Sequence, residues 1–219
     1  EGVKGLSKLG RIDLQRDGYN LNLVSGPVRL QFQVNDPDNY PPLPKTTENS
    51  QHWTVVDKVA YRDALKYLLP CAATDKSIPT LQTVCHKFSP TNLELAAADR
   101  FKLGIAQAGV LGYEEDKGQV LVPGASIKQL IKLLARAEKE RGELFVEIGT
   151  NYIRWSYGLV ELVASTVQGT FPSYQQLIPK GWYTKVTMDR AEFAAAVKGA
   201  HQVAKGNSGI VRLVVGDGD

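Results

Sequence analysis

The feature that most constrains the fold of this chain is a strand-to-helix switch that recurs at a fixed interval. Three segments share one form, in which alternating apolar residues lead to Asp or Pro and then to an amphipathic helical pattern. The switches fall at Asp57, Pro123 and Asp189, so the intervals are 123 − 57 = 66 and 189 − 123 = 66 residues. Equal spacing of such markers predicts a repeated supersecondary unit. The segments are HWTVVD-KVAYRDALKYLL, GQVLVP-GASIKQLIKLLARAEK and YTKVTMD-RAEFAAAVKGAHQVAK.

Segments with apolar residues at every second position lie between the helices and predict strands. The first helix is followed by LQTVCHKF, LELAAAD and FKLGIAQAG, and the second by ELFVEIG, YIRWSY and VELVASTVQG. Before the first helix, RIDLQRDGYNLNLVSGPVRLQFQV predicts three more strands, with Asp17-Gly18 as a hairpin turn. The unit is therefore one strand, one helix and three strands. We expect the tail of one unit (about residues 8–35), two whole units, and the head of a fourth ending at IVRLVV.

Incomplete units at both ends would leave sheet edges and apolar faces uncovered, which proteins generally avoid. We therefore expect either part of a longer protein or a chain that completes itself by association. The stretch NDPDNYPPLPKTTENSQ (35–51) is rich in Pro, Asn and Asp and predicts an interdomain linker. A second boundary is expected near IPKGWY (178–183).

Composition favours a folded protein and leaves its partners open. The 219 residues are 43% hydrophobic and 22% charged, which suits a globular chain with a real core. The net charge of +3 is too small to predict nucleic-acid binding, so the position of the bases must decide that question. Apolar runs are too short to span a bilayer, and Cys71 and Cys85 have no metal or redox spacing. The simplest expectation is a soluble, cytoplasmic protein.

Basic residues fall on one stripe of each predicted helix, since positions four and eight apart share a face. For one helix, a solvated surface is the better explanation. Three equivalent stripes on repeated units would merge into a positive surface able to contact phosphates without reading sequence. Few aromatic residues accompany the bases, so stacking on single strands is not favoured. The candidates are Lys58, Arg62, Lys66, Lys128, Lys132, Arg136, Arg190, Lys198 and Lys205.

Catalytic patterns are scarce in this sequence. Phosphate-loop, dinucleotide-binding, zinc-protease and serine-hydrolase motifs are all missing, and the histidines have no metal-ligand spacing. One acidic cluster, Glu114-Glu115-Asp116, lies between glycines and predicts a loop tip more simply than a metal site. We therefore expect a non-enzymatic protein without metal or other cofactor.

The segment AAADRFKLGIA (96–106) interrupts an apolar run with Asp99-Arg100-Phe101-Lys102. Three interpretations compete: a catalytic cluster, a nucleic-acid contact and a protein-docking pocket. No acid, base or metal partner accompanies it, and the repeat predicts two strands joined by a tight turn. Asp99 is then expected to brace the turn.

Four segments resemble the bacterial sliding clamp family, the beta subunit of DNA polymerase III. LELAAADRFKLGIA is similar to the family's ATDG-x-RLA segment, and VLVPGASIKQLIKLL to its strand–Pro–helix. VQGTFPSYQQLIP is similar to (E/D)G-x-FP-x-Y-x-x-(V/L)-(I/L)P, and TDKSIPTLQTV to (T/D)E-x-RP-x-LNGV. The last two motifs are long and specific, and the likeness covers nearly the whole chain.

The resemblance implies the DNA-clamp fold, an α+β fold of repeated strand–helix–three-strand units with helices on the inner face and antiparallel sheets outside. It implies that residues 1–45 are the end of a first clamp domain, 50–180 a complete middle domain and 181–219 the start of a third. The implied function is a DNA polymerase processivity factor whose partners are duplex DNA, the replicative polymerase and clamp-loader subunits. In the family two subunits close a homodimeric ring; no membrane is involved. The alternative is a clamp-fold interaction module that does not encircle DNA.

The resemblance also implies a groove that docks short peptides. Carried over by motif, its walls are Leu81, Ala98, Arg100, Phe101, Lys102, Leu103 and Pro179. The family has Gly where this chain has Arg100, His or Tyr where it has Phe101, and Arg where it has Lys102. Since Lys lacks the planar fork of Arg, and the rest of the groove belongs to sequence outside this chain, we expect weak peptide binding.

Overall fold

The strand–helix–three-strand unit predicted from the sequence forms twice in succession. The structure is a computed structural model that describes residues 10–46, 50–55, 57–75, 77–112, 118–137, 143–206 and 208–216. The strands are β1 (Asp13–Asp17), β2 (Asn20–Ser25), β3 (Val28–Gln33), β4 (Gln51–Val55), β5 (Thr83–Phe88), β6 (Asn92–Ala98), β7 (Leu103–Gly112), β8 (Gly118–Pro123), β9 (Leu144–Ile148), β10 (Tyr152–Tyr157) and β11 (Val160–Ser165). The helices are α1 (Lys58–Leu68), α2 (Gly124–Ala137) and α3 (Arg190–Ala204). The complete units are β4–α1–β5–β6–β7 and β8–α2–β9–β10–β11.

The two units are joined within one eight-stranded antiparallel sheet, in which the first strand of each unit pairs with a strand of the other unit. The strand order of this sheet is β11-β10-β9-β4-β7-β6-β5-β8. β4 pairs with β7 of its own unit and with β9 of the next, while β8 pairs with β5 of the previous unit. Leu121 of the outer strand β8 forms an isolated bridge with Val167, which lies just after β11. A separate sheet, β1-β2-β3, is the meander predicted before the first helix. The predicted α+β class with antiparallel sheets is confirmed.

The three sequence markers lie at the starts of the three helices. The carboxylate of Asp57 accepts hydrogen bonds from the backbone N–H groups of Val59 and Ala60, both at 2.9 Å. Asp189 caps α3 through Ala191 and Glu192 in the same way. Pro123 ends β8, and α2 begins at the next residue. A side-chain oxygen at this position satisfies N–H groups that have no partner inside the helix, which explains why the Asp markers predicted helix starts.

The core lies between the apolar faces of α1 and α2 and the eight-stranded sheet. Tyr61 and Leu65 of α1 are fully buried, as is Ile127 of α2. From the sheet side, Trp53 and Trp155 are also buried, and Trp53 packs on Phe88 with 4.8 Å between ring centroids. Each large side chain of this kind contributes roughly 1.5–3 kcal/mol when removed from water. The opposite faces of α1 and α2 remain available for other contacts.

The strands predicted near the end of the chain are not observed. Residues 183–189 (YTKVTMD) and 210–215 (IVRLVV) have no strand assignment, although α3 between them forms as predicted. A strand exists only through a hydrogen-bonded neighbour, and no strand pairs with these segments in the described part of the chain. Residues 183–189 are accordingly exposed throughout. The prediction of a strand-bearing fourth unit was therefore wrong at these two segments.

The described chain separates into two compact units, which meet in sequence between Phe171 and Pro172. The first contains both sheets and α1 and α2, and the second contains α3. The assignment of residues 1–45, 50–180 and 181–219 to three clamp domains stays a prediction. Among the described residues, no helix is long and apolar enough to cross a membrane.

Candidate functional site

Basic side chains of α1 and α2 lie around Tyr157: one contacts its ring, and two line the same cleft. The two helices pack against each other, and Lys58 at the start of α1 donates a hydrogen bond from Nζ to the hydroxyl of Tyr157 at 2.9 Å. The same ammonium lies 4.1 Å from the centroid of the Tyr157 ring. Tyr157 also lines a cleft of about 370 Å³ whose wall includes Lys132 and Arg136 of α2. Lys58 thus contacts Tyr157 directly, and Lys132 and Arg136 share a cleft with it.

Lysines occupy one equivalent position on all three helices. Lys66, Lys132 and Lys198 are separated by 132 − 66 = 66 and 198 − 132 = 66 residues, which is the repeat length. All three are exposed. The buried residues of the apolar face follow the same register, since Tyr61 and Ile127 are also 66 apart. The repeat therefore fixes which helix face is apolar and which is basic.

Arg62 does not lie on the exposed stripe as predicted. It is only 7% exposed, and its guanidinium is 2.9 Å from the carboxylate of Asp63. This hydrogen bond is the main reason that the pKa of Asp63 lies below its ordinary value. Lys66, 3.4 Å from the same carboxylate, stays half exposed. A spacing of four residues placed Arg62 on the stripe, but it could not show that Arg62 is buried.

The other predicted cations are accessible. Lys128 and Arg136 are exposed on α2. Arg190 and Lys198 on α3 and Lys205 just after it are exposed on the second compact unit. Lys58, Lys66 and Lys132 are also at least partly exposed, so eight of the nine candidates present charge to solvent. Such a pattern can attract phosphates through screened contacts that do not depend on base sequence.

The segment DRFK forms the turn between β6 and β7, and Asp99 braces it. One carboxylate oxygen of Asp99 accepts from the backbone N–H groups of Phe101 at 3.1 Å and Lys102 at 3.0 Å. The other lies 2.7 Å from the ammonium of Lys102. These bonds, led by that from the Lys102 side chain, lower the pKa of Asp99, and the pKa of Lys102 is raised in return. A carboxylate with both oxygens engaged is poorly suited to proton transfer, which disfavours the catalytic interpretation.

A pocket of about 200 Å³ lies beside this turn. Three of the residues predicted as groove walls, Leu81, Arg100 and Phe101, line it, and Leu81 is buried. Ala98 and Leu103 flank the turn and Lys102 is its last residue, but none of the three is among the lining residues. Pro179 belongs to the second compact unit. Five further residues line the pocket and were not predicted as groove walls: Ala73, Thr74, Asp75, Ile78 and Asp99. Three of them, Thr74, Asp75 and Ile78, belong to the TDKSIPTLQTV match, which could have indicated them.

Arg100 has a backbone φ of +78°, which side chains with a Cβ rarely adopt. The turn thus has a glycine-like conformation at the position where the resembled family carries Gly. The arginine side chain is 56% exposed and lies on the pocket wall. Arg100 therefore adds a cation to the pocket wall while its backbone keeps a conformation that suits glycine.

Metal or catalytic centres receive no support from the described residues. They contain no group of three or more His, Cys, Asp or Glu placed to hold a metal ion. The cluster Glu114-Glu115-Asp116 lies outside the described residues. Cys85 is buried, and burial raises the pKa of its thiol to about 12, which suits a packing residue better than a nucleophile.

Comparison with known proteins gives a consistent family. Residues 59–173 match the family described as DNA polymerase III beta subunit, central domain. A beta sliding clamp of Staphylococcus aureus is 23% identical over 196 residues, which cover 89% of this chain and 50% of the relative. The DNA polymerase sliding clamp from Bacillus subtilis superimposes with a TM-score of 0.74 at 20% identity, covering 93% of this chain and 53% of the other.

A Helicobacter pylori beta clamp bound to a DNA ligase peptide also shares the fold. Its TM-score is 0.69 at 17% identity, and the match covers 88% of this chain and 53% of that one. The chain spans about half the length of the curated relatives it matches. The likeness to these structures shows the fold, and the match of the central-domain family shows common membership.

Proposed function

Because the chain belongs to the DNA polymerase III beta subunit family, we propose that it forms part of a sliding clamp that keeps a replicative polymerase on duplex DNA. The match of the central domain over residues 59–173 carries this proposal. Such a protein tethers other enzymes and performs no chemistry, in line with the absence of catalytic motifs from its sequence. Replication of a bacterial chromosome takes place in the cytoplasm, so a protein with this function would be located there.

The basic faces of the helices are the proposed DNA-facing surface. A sliding protein needs enough positive charge to stay near phosphates and no base contacts that would hold it at one sequence. The exposed lysines at the repeat positions, Lys66, Lys132 and Lys198, support this role, as does the cluster of Lys58 and Arg136 with Lys132. Arg62 is expected to contribute least, since it is buried against Asp63.

The pocket beside the β6–β7 turn is the proposed site for short peptides of polymerase and clamp-loader subunits. Leu81 and Phe101 supply apolar surface for an anchor side chain, and polar groups at the rim can orient a backbone. The H. pylori clamp with its ligase peptide is a precedent for peptide binding within this fold. Ring closure by two subunits around DNA is part of the same proposal.

Reversal of the α2 charges tests the DNA-facing surface. The variant Lys128→Glu, Lys132→Glu, Arg136→Glu is expected to weaken binding to a labelled 30-bp duplex. It should also reduce the slope of log K against log salt by up to about 3, since each lost phosphate contact removes roughly 0.9. Fluorescence anisotropy between 50 and 200 mM salt would measure both quantities.

A matched control separates position from total charge. Arg11→Glu, Arg16→Glu, Arg29→Glu makes the same change in net charge on exposed residues in and near the β1-β2-β3 sheet and should leave most of the affinity intact. Equal losses in both triple variants would reject the assignment of the helix faces. If peptides bind but no variant alters DNA binding, the interaction module without DNA encirclement becomes the better function. Retention on circular but not linear DNA would identify topological trapping.

A further inference from the structure

Two carboxylates on the wall of the β6–β7 pocket already have close partners. Asp99 is engaged by the turn and by Lys102. Asp75 accepts from the backbone N–H of Ser77 at 2.9 Å and from its hydroxyl at 2.6 Å. The hydrogen bonds from Ser77 are the main cause that holds the pKa of Asp75 below its ordinary value, whereas Arg100 is the smallest contributor. The acidic groups of the pocket are therefore largely compensated within their own loops.

Arg100 is in a different position, because its described polar contacts are long. Its Nη2 lies 3.8 Å from the Asp75 carboxylate and 3.5 Å from the Ser77 hydroxyl. Charge-assisted hydrogen bonds of a guanidinium are normally about 2.7–2.9 Å. Among the described residues that line the pocket, Arg100 is the only cation. Its charge can therefore turn to a closer acceptor at little cost.

Several short contacts hold the backbone that carries Arg100, whereas among the described residues the side chain of Arg100 has only the two long contacts. The turn is fixed by three contacts of Asp99 and by the bond from the Asp99 N–H to the Lys102 carbonyl at 3.2 Å. Next to Arg100, the Phe101 ring is 94% exposed and offers apolar surface on the same rim. The rim therefore presents a cation and an exposed aromatic ring beside a pocket that contains the buried Leu81. A peptide with an acidic residue next to an apolar one would match both features.

We propose that Arg100 makes this pocket select peptides that carry a carboxylate side chain beside their apolar anchor. On docking, the peptide carboxylate replaces Asp75 as the partner of the guanidinium, and Asp75 keeps its bonds to Ser77. The planar fork of arginine can donate hydrogen bonds to both carboxylate oxygens at once, which favours a carboxylate over an amide of the same shape. This inference rests on the proposed docking of peptides in this pocket.

Paired peptides test the selection. The peptides are hexapeptides with an acetylated N-terminus, an amidated C-terminus and one leucine as the anchor. In each peptide a single Asp occupies one of the remaining five positions, and a matched peptide carries Asn at that position. In anisotropy titrations of the whole chain, Asp at one position beside the anchor is expected to bind about fivefold tighter than Asn. This preference should vanish in Arg100→Gln, which removes the charge and leaves a shorter polar side chain. It should shrink in the unaltered protein when salt rises from 50 to 200 mM.

Two further variants give the controls. Arg100→Gly suits a φ of +78°, so the turn should fold and bind Asp and Asn peptides equally. Arg29→Gln removes an exposed arginine from the other sheet and should keep the preference. Binding without an Asp preference in the unaltered protein would overturn the role of Arg100 alone. Failure of every peptide to bind both the unaltered protein and Arg100→Gly would overturn the docking proposal as well.

Discussion

His86 lies fully buried in a chain of polar side chains that crosses the core. Its Nδ1 is 3.0 Å from the carbonyl of Val84, so Nδ1 carries the proton and donates it. Nε2 then accepts from the hydroxyl of Tyr61 at 3.0 Å, and that hydroxyl accepts from Nε1 of Trp155 at 3.2 Å. Every member of this chain has a partner while His86 is neutral. A second proton on His86 would turn Nε2 into a donor, and the hydrogen of the Tyr61 hydroxyl would then lose its acceptor.

This arrangement predicts a loss of stability in mild acid. Burial lowers the pKa of His86 to about 4 from 6.5, against a small opposite effect of the Val84 carbonyl. Between these values the unfolded chain binds a proton that the folded chain does not. The free energy of unfolding should therefore fall as pH drops from 6.5 to 4, by roughly 3 kcal/mol for this residue. Urea unfolding at pH 7, 5.5 and 4.5 would measure it.

His86→Gln provides the reference for that measurement, because glutamine cannot titrate in this range. Its stability at pH 7 is expected to be lower, and its fall towards pH 4.5 should be shallower than that of the unaltered protein. Parallel pH profiles in the two proteins would show that His86 is not the source of the acid sensitivity.

At the residue scale, sequence reasoning succeeded where a local pattern decides the outcome. Asp99 was predicted to brace its turn because the repeat placed it between two strands joined by a tight turn, and its carboxylate does bond the N–H groups two and three residues on. Arg62 was misplaced because its burial depends on packing that spacing does not report. The polar chain through His86 was not foreseen at all, since its members come from α1, β5 and β10 and meet only in the folded core.

The start of α1 illustrates how a single residue defines an element. Asp57 has extended backbone angles, and its carboxylate takes up two N–H groups of the first helical turn. The following residue is Lys58, whose ammonium reaches Tyr157. The cap therefore sets where the helix begins and also where its first cation stands.

Removal of this cap is expected to weaken the helix and the protein. Asp57→Ala leaves two N–H groups without the side-chain acceptor and should reduce the free energy of unfolding by about 1 kcal/mol. Asp57→Asn keeps an acceptor oxygen and should cost much less. Chemical denaturation of the three proteins at one pH would measure this, and an equally large loss in Asp57→Asn would contradict the capping explanation.

Element types were predictable because each helix and strand carries its own period, and the 66-residue register aligned them. Strand partners were not predictable, because pairing is decided between distant segments. The pairing of β4 and β8 across the two units has this origin, and so do the missing strands at 183–189 and 210–215. Alternating apolar residues make a segment able to pair, but only a hydrogen-bonded neighbour makes it a strand.

At the scale of the whole molecule, the segment predicted as an interdomain linker is bound to the sheet through a nearly buried ion pair. Arg154 of β10 lies 2.6 Å from Glu147 of β9, with both side chains nearly buried. The Thr46 hydroxyl accepts from Arg154 at 3.1 Å and donates to Glu147 at 3.0 Å. Arg154 also donates to the carbonyl of Pro44. The described end of the linker is therefore anchored on the middle of the chain.

The charges of this cluster are matched. Burial opposes ionisation of Glu147, but hydrogen bonds from Tyr152 and Thr46 and the charge of Arg154 outweigh it and lower its pKa. The Tyr152 hydroxyl, whose single hydrogen points to Glu147, also lies 3.3 Å from the carbonyl of Lys45. Loss of one partner from a buried pair leaves the other charge uncompensated, which costs more than the pair contributes. A fixed linker of this kind would hold the direction in which the chain enters its central domain, which matters for a protein proposed to close a ring.

Glu147→Gln tests that anchoring, because the amide keeps an acceptor while the charge that compensates Arg154 is lost. The free energy of unfolding is expected to fall by about 3 kcal/mol. Trypsin should cut after the exposed Lys45 several times faster than in the unaltered protein at a dose that leaves the fold intact. Glu161→Gln is the matched control, since Glu161 lies 4.0 Å from Arg154 and is more than half exposed; it should change neither quantity appreciably. Unchanged cleavage after Lys45 in Glu147→Gln would mean that the linker is held by contacts other than this ion pair.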